Sequence, residues 1–360
     1  MSRLGALTGL KVLDFSTLLP GPYATLMLAD LGADVLKISS ASKPDLVAEF
    51  PPMLDGISAN QAWLGRNKKS MFLNLKTTAA VEIVKRLILE YDIVIEQFRP
   101  GVMEKLGLSY EVLKKYNPRL IYCSLTGYGQ TGPLKDRAGH DINYLARSGN
   151  MSYAGKKEFG PVLTNMQIAD LAVGSLHSVV GILAAVQYRE RTGEGQSVDV
   201  AMFDGLIPFH AMDGTAFLAT GEAPERESTR LNGGSLYDFY ETADHKYLSV
   251  GCLEPQFWSE FCIKIGRPDY IEGTVFPENV EAKKAELREI IRKKTQDEWV
   301  LIFEDSDVCV EPVLGLREAL LEDAHIKARN MVVDVELPLS GGRQVKQLGT
   351  AMKLSACPIA

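Results

Sequence analysis

The 360-residue chain is poor in cysteine: Cys123, Cys252, Cys262, Cys309 and Cys357 are odd in number, widely spaced and form no C-x-x-C pair. That pattern excludes a disulfide framework and a cysteine zinc site, and no metal site is expected; the thiols read as inert groups in a reducing compartment. No run of about eighteen apolar residues occurs, and the amino terminus, Met1-Ser2-Arg3-Leu4-Gly5, has no basic segment leading into an apolar core. Neither a membrane span nor a secretory leader is expected, and the expected location is cytoplasmic. Basic residues are also in deficit, 39 against 46 acidic, giving a formal charge of −7. A general nucleic-acid binder needs a net basic face and is excluded on that ground, whereas a local basic site for a small anion stays open.

What is present is ordinary globular composition at a length that favours two domains. The first 125 residues alternate β-branched runs with helical patterns. Strands are expected at Lys11 to Phe15, Asp34 to Ile38, Met71 to Leu75, Ile93 to Glu96 and Leu120 to Leu125, with helices at Tyr23 to Leu31 and Val81 to Glu90. Such alternation implies parallel strands with crossover helices, whose ligands bind beyond the carboxyl ends of the strands. Leu171 to Arg189 reads as a buried helix, followed by a strand at Gln196 to Val200. The charged segment from Gly221 to Arg230 carries Gly and Pro and reads as a linker. The expected division is a large domain at 1–220, a small domain at 221–320 and a return segment at 321–360.

Several constellations can carry chemistry. Gly127-Tyr128-Gly129-Gln130-Thr131-Gly132 satisfies G-x-G-x-x-G, but Pro133 follows at once and no amphipathic helix opens behind it. The dinucleotide reading therefore fails, and a tight loop allowing close approach of a ligand remains. His140, in Gly139-His140-Asp141-Ile142-Asn143-Tyr144, stands where a loop feeds a helix, so it reads equally as a general base beside free N–H groups or as a packed ring with Asp141 capping the helix. Asp170 is an acid inside an apolar run; burial suits it to acid, base or nucleophilic work, and an N-cap is the plain alternative. Glu254 precedes Pro255 and reads first as a cap. Arg66-Asn67-Lys68-Lys69, Lys76 and Arg99 lie near strand ends and suit phosphates or a solvated patch. His177, His210, His245 and His325 lack ligand spacing.

Taken with Pro20-Gly21-Pro22, Leu28-Ala29-Asp30-Leu31-Gly32-Ala33-Asp34-Val35, Arg66 to Ser70, Arg99-Pro100-Gly101, Asn117 to Tyr122 and Thr192 to Gln196, these segments resemble the family III coenzyme A transferases, the CaiB/BaiF-like superfamily, over nearly the whole chain. Gly139 to Tyr144, Glu254 to Phe257 and Ser306 to Leu314 resemble its racemase branch, which acts on α-methylacyl-CoA. The resemblance implies an α/β fold with a Rossmann-like large domain and a smaller α+β domain in an interlocked homodimer. It implies an isomerase of lipid metabolism that moves one proton through an enolate, with CoA as part of the substrate and no cofactor. His140 and Asp170 would be the two catalytic bases, the Asp141 N–H would meet the thioester oxygen, and Glu254 would raise the basicity of His140. CoA would touch Leu73, Asn74, Leu75, Lys76, Tyr91, Asp92, Ile93, Arg99 and the stretch Gly139, His140, Asp141, Ile142, Asn143 and Tyr144. The alternative on the same pocket is a CoA-transferase with Asp170 as nucleophile. The chain departs from the family where Ser40 stands in place of an arginine, with Lys43 as a possible substitute, and where it stops at Ala360; its final residues are not a peroxisomal tripeptide.

Overall fold

The computed structural model describes residues 4–40, 42–337 and 341–357. The carboxyl-terminal tripeptide therefore lies outside the described residues. The chain divides into two compact units, one of Met1–Ser148, Thr164–Phe209 and Ala324–Ala360, the other of Gly149–Leu163 and His210–Asp323.

The first unit opens with strand β1 (Lys11–Asp14), helix α1 (Pro20–Asp30) and β2 (Asp34–Ser39), then a small hairpin, β3 (Met53–Leu54) and β4 (Ile57–Ser58), α2 (Ala59–Leu64) and β5 (Lys68–Phe72). It continues through α3 (Thr78–Leu87), β6 (Ile93–Glu96), the single turns α4 (Val102–Lys105) and α5 (Tyr110–Leu113), β7 (Ile121–Thr126) and α6 (Asp141–Arg147). A π-helical stretch at Ile168–Ser175 runs into α7 (Leu176–Thr192), followed by β8 (Ser197–Ala201) and, at the return of the chain, the hairpin β12 (Val332–Leu337) and β13 (Arg343–Leu348).

Six of these strands form one sheet in the order β5-β2-β1-β6-β7-β8, every neighbour pair parallel. The chain builds outward from β1 through β2 to β5 and then restarts at β6, so the order reverses between β1 and β6. In an open parallel sheet that reversal splays the connecting loops apart and leaves a crevice at the carboxyl ends of the strands. The sheet interior is mostly apolar, with Val12, Leu13, Val35, Ile93, Val94, Ile95, Ile121 and Leu125 all sealed from solvent, and it also buries Asp14 on β1 and Glu96 on β6. Helix α3 starts where the Thr77 hydroxyl accepts the Ala80 N–H, and it turns Val84 into the sheet.

In the first unit α1 and α3 each begin three residues earlier than expected, and two further expectations need correction. Strand β5 occupies Lys68–Phe72 rather than Met71 to Leu75, because its register is set by β2, from Val35 opposite Lys68 to Ser39 opposite Phe72. Beyond Leu73 the chain turns, with the Asn74 carbonyl accepting the Thr77 N–H and the Asn74 side chain accepting the Lys76 N–H. The helix through α7 is only partly buried: Val179, Ile182 and Ala185 face the core, whereas Leu176, Val180 and Tyr188 are exposed. Residues 168–192 are long and apolar enough to pass as a membrane span on length and composition alone. Contacts with α1, β7 and β8 seat one face of this stretch on the core.

The second unit carries α8 (Ala211–Thr220), a three-stranded antiparallel sheet of β9 (Asp238–Glu241), β10 (Tyr247–Val250) and β11 (Val310–Pro312), and helices α9 (Pro255–Lys264), α10 (Val280–Ile291) and α11 (Gln296–Phe303). Its core gathers Trp258, Phe261, Leu287, Trp299 and Phe303. The 221–230 segment is no linker: Arg226 donates to the carbonyls of Met151 and Ala154, and Glu227 pairs with Lys156 at 3.1 Å, tying it to 149–163 within this unit. The contact division thus falls at 209/210 and 323/324 and moves 149–163 into the second unit, unlike the expected 220/221 and 320/321.

Candidate active site

A cavity of about 440 Å³ opens in the first unit at the reversal point of the sheet. Each wall follows a strand: Leu18 and Pro20 come after β1, Gln97 to Pro100 after β6, Leu125 to Gly127 at the end of β7 and Met202 after β8. The walls are tied together by side chains on the same loops. Gln97 accepts the Gly21 N–H at 3.1 Å, and Glu96 accepts the Phe98 N–H at 2.8 Å. The glycine loop is held by Thr126, which accepts the Gly129 N–H at 2.9 Å, and by Asp199, which accepts the Gln130 N–H at 3.0 Å. Tyr144 fills the space beneath, its hydroxyl donating to the Gly139 carbonyl at 2.7 Å. A Cβ on Gly139 would stand 2.7 Å from the Tyr144 ring, and one on Gly127 would collide with it outright. Both glycines are there for that close approach, not for a dinucleotide phosphate.

His140 and Asp170 line this one cavity. His140 stands just before α6, its N–H donating to the Asn143 side chain at 3.0 Å. Asp170 lies in the first turn of the π-helical stretch and caps nothing. That start is capped by Asp141, whose carboxylate accepts the N–H groups of Ala169 at 2.6 Å and Asp170 at 3.2 Å. Burial, then the Asp141 charge, push the Asp170 carboxyl up to about 6, against the opposing pull of His140. Asp170 is thus poised to exchange a proton near neutral pH. Of the six residues from Gly139 to Tyr144, Gly139, His140, Asn143 and Tyr144 reach the cavity; Asp141 and Ile142 do not.

The cationic side chains divide sharply. Arg99, Lys135 and Arg137 line the cavity, and among the described residues none of the three forms an ion pair. Lys135 and Arg137 escaped the sequence reading because their stretch has no periodicity; the available cue was two cations between the glycine loop and His140. The Arg66 to Lys69 cluster, by contrast, lies at the amino end of β5, where Arg66 and Lys68 are spent on internal carboxylates and Lys69 on a surface ion pair. Arg66 pairs with Asp30 at 2.6 Å, Lys69 with Asp34 at 2.8 Å, and Lys68 with the fully buried Asp14 at 3.5 Å. Burial lowers the Lys68 ammonium to about 8. For Asp14 the cost of burial is outweighed by Lys37, Lys68, Ser16 and Thr25, which hold its carboxyl below the usual range.

The remaining expected contacts are scattered. Leu73, Asn74, Leu75 and Lys76 follow the carboxyl end of β5, outside the cavity but on the same edge of the sheet, three strand spacings or about 14 Å from β6. Tyr91, Asp92 and Ile93 lead into the amino end of β6, the opposite edge: Tyr91 and Ile93 are buried and Asp92 pairs with Arg189 at 2.8 Å. They are removed from the cavity because a strand's first and last residues face opposite edges of a parallel sheet. Glu254 is exposed in the second unit at the start of α9, where its side chain makes no capping bond. Lys43 is exposed just beyond β2, its N–H on the Ser40 hydroxyl. Among the described residues no three His, Cys, Asp or Glu side chains converge as a metal site would require.

The model of CoA-transferase family III matches residues 7–360. The human alpha-methylacyl-CoA racemase is 36% identical over 333 residues, 92% of this chain and 83% of the human protein. An acetyl-CoA:oxalate CoA-transferase from Acetobacter aceti is 34% identical over 360 residues, 98% of this chain and 90% of that protein. The crystal structure of a CAIB/BAIF family protein from Brucella suis matches with a TM-score of 0.84 at 29% identity, over 99% of this chain and 95% of that one. The sequence relatives are thus enzymes of two kinds at similar identity, and the fold with its parallel central sheet matches that of the Brucella suis protein. This chain belongs to CoA-transferase family III.

Proposed function

We propose that the protein is a racemase of 2-methylacyl-CoA thioesters. The observation that carries this reading is the pair of proton carriers, His140 and Asp170, on one cavity at the reversal point of the sheet. One removes the α-proton, the thioester oxygen takes up the charge as an enolate, and the other returns a proton to the opposite face. No atom is gained or lost, and the two groups exchange acid and base roles with each inversion. Arg99, Lys135 and Arg137 hold the CoA phosphates as unpaired cations at strand ends, and the nucleotide follows the sheet edge toward Lys76 and Lys43.

The test is incubation of a single enantiomer of a 2-methylacyl-CoA in heavy water. Deuterium at the α-carbon with loss of optical purity supports the reading; no exchange at saturating substrate overturns it. The second reading, CoA transfer to a free carboxylate, is favoured by the transferases found among relatives at similar identity. In it the Asp170 carboxylate attacks the thioester carbonyl, expels CoA thiolate and forms a mixed anhydride. CoA appearing on an added acid, with no α-exchange, supports that reaction instead.

A homodimer, interlocked as in the family, is part of the proposal. Its support is apolar surface that a lone chain leaves in water: Leu176 and Val180 on α7, and Met212, Phe217 and Leu218 on α8, a helix with no buried residue. Light scattering that gave the mass of one chain would overturn this part.

A further inference from the structure

Helix α6 is seven residues long, and its first side chain serves another helix. The Asp141 carboxylate reaches the N–H groups of Ala169 and Asp170, 28 and 29 positions along the chain. Helix α6 is closed instead by Asn143, which accepts the His140 N–H. The segment that presents His140 and the segment that presents Asp170 are therefore joined by two charge-assisted hydrogen bonds from one carboxylate. Two groups acting on opposite faces of one carbon need a fixed separation, and a displacement of about 1 Å can cost about a hundredfold in rate.

The same carboxylate is also a negative charge beside Asp170. Of the other titratable groups around Asp170, α6 brings His140 and Tyr144, and the loops around the cavity bring Arg99, Lys135 and Arg137. Helix α1 presents only Pro20 to the cavity, and Asp204, on the short turn packed against the π-helical stretch, is coupled to Asp199 instead. Asp141 is the one anion among the groups that move the Asp170 carboxyl.

We propose that Asp141 is the positioning residue of this site: its carboxylate fixes His140 and Asp170 relative to each other, and its charge adds to the hold that burial gives Asp170 on its proton. The activity arm of the test rests on the racemase reading; the titration arm does not.

Two variants of the full chain separate the two roles. Asp141→Asn keeps an amide oxygen for the two N–H groups but removes the charge; Asp141→Ala removes both. Asp170 is titrated by carbon NMR with carboxyl-labelled aspartate, its resonance identified as the one missing in Asp170→Asn. α-Deuterium exchange is followed against pH on a 2-methylacyl-CoA. In Asp141→Asn the Asp170 titration and the acid limb of kcat/KM both move down by about one pH unit. In Asp141→Ala kcat falls about a hundredfold with KM little changed, and Asp141→Asn recovers most of that loss. An unmoved Asp170 titration in Asp141→Asn overturns the electrostatic role. Wild-type kcat in Asp141→Ala, or a lowered melting temperature with kcat intact, overturns the positioning role. If Asp141→Ala does not fold, failure of Asp141→Asn to keep measurable kcat overturns the positioning role in its place. If the wild-type protein exchanges no α-proton, the racemase reading falls while the titration still decides for Asp141.

Discussion

The Glu96 carboxylate, 4% exposed at the carboxyl end of β6, accepts the Phe98 N–H and so holds the turn that carries Gln97, Phe98 and Arg99 to the cavity. Burial raises this carboxyl from 4.5 to about 7, partly offset by the Ser124 and Phe98 bonds. A carboxyl with a raised folded-state pKa costs stability as pH climbs through the window between the two values, because the unfolded chain ionises first. Glu96→Gln keeps an acceptor for Phe98 without the charge. Its melting temperature, relative to wild type, should therefore rise from pH 4.5 to pH 7 and level off above, a gain of up to about 3 kcal/mol. A pH-independent difference would show that Glu96 titrates normally.

The division of the cations makes a second prediction. On the proposed binding of CoA phosphates by the cavity cations, Arg99→Ala or Arg137→Ala should raise KM for an acyl-CoA about tenfold while kcat changes less. Lys43→Ala should act in the same direction if that side chain replaces the arginine absent at Ser40. Arg66→Ala should behave differently, because the buried Asp30 carboxylate would lose its ion-pair partner and keep only the Asn67 and Thr350 hydrogen bonds. The expected result is a stability loss of about 3 kcal/mol with an unchanged KM. A KM effect at Arg66 and none at Arg137 would reverse the assignment.

How far the sequence was legible follows from the range of each interaction. Ile93 to Glu96 as a strand and His140 at the entrance to a helix are local facts, set by β-branched content and by a loop closing on Asp141. Parallel pairing was readable too, since alternating strands and helices leave few other ways to bury both faces of a sheet. The start of β5 was not, because Lys68 joins the strand through its register with Val35, a partner more than thirty residues away. Nor was the fate of Arg66 and Lys68, whose side chains turn inward to Asp30 and Asp14 only once α1 and β1 are in place. The capping of the Asp170 turn by Asp141 likewise joins residues that no local pattern connects.

Gly139 offers a steric test. An alanine there would set its Cβ 2.7 Å from the Tyr144 ring, and the ring cannot withdraw because it is buried and its hydroxyl is anchored on the same residue. Gly139→Ala should cost about 1–3 kcal/mol of stability and displace His140, lowering kcat. Gly132→Ala is the comparison, since its Cβ would meet nothing and only its positive φ of 83° penalises a side chain. That variant should lose about 1 kcal/mol with activity retained. Calorimetry and turnover on the two variants check both halves.

His140 and Asp170 make the last prediction, because the racemase reading sets each on one side of the α-carbon. If His140 is removed, the enantiomer whose proton faces Asp170 can still lose it and recover a solvent proton from the same group, with retention. Asp170→Asn should do the converse. Each single variant should therefore incorporate α-deuterium from one enantiomer without inverting it, from opposite enantiomers in the two cases, while inversion drops by about 10² to 10⁴. In the direction that uses Asp170 as base, the wild-type rate should fall as pH drops through about 6, where that carboxyl takes up its proton. Chiral analysis of the recovered thioester separates this from CoA transfer. A nucleophilic Asp170 predicts that Asp170→Asn loses transfer entirely and that neither variant exchanges an α-proton, because attack at the thioester carbonyl never breaks the α-C–H bond.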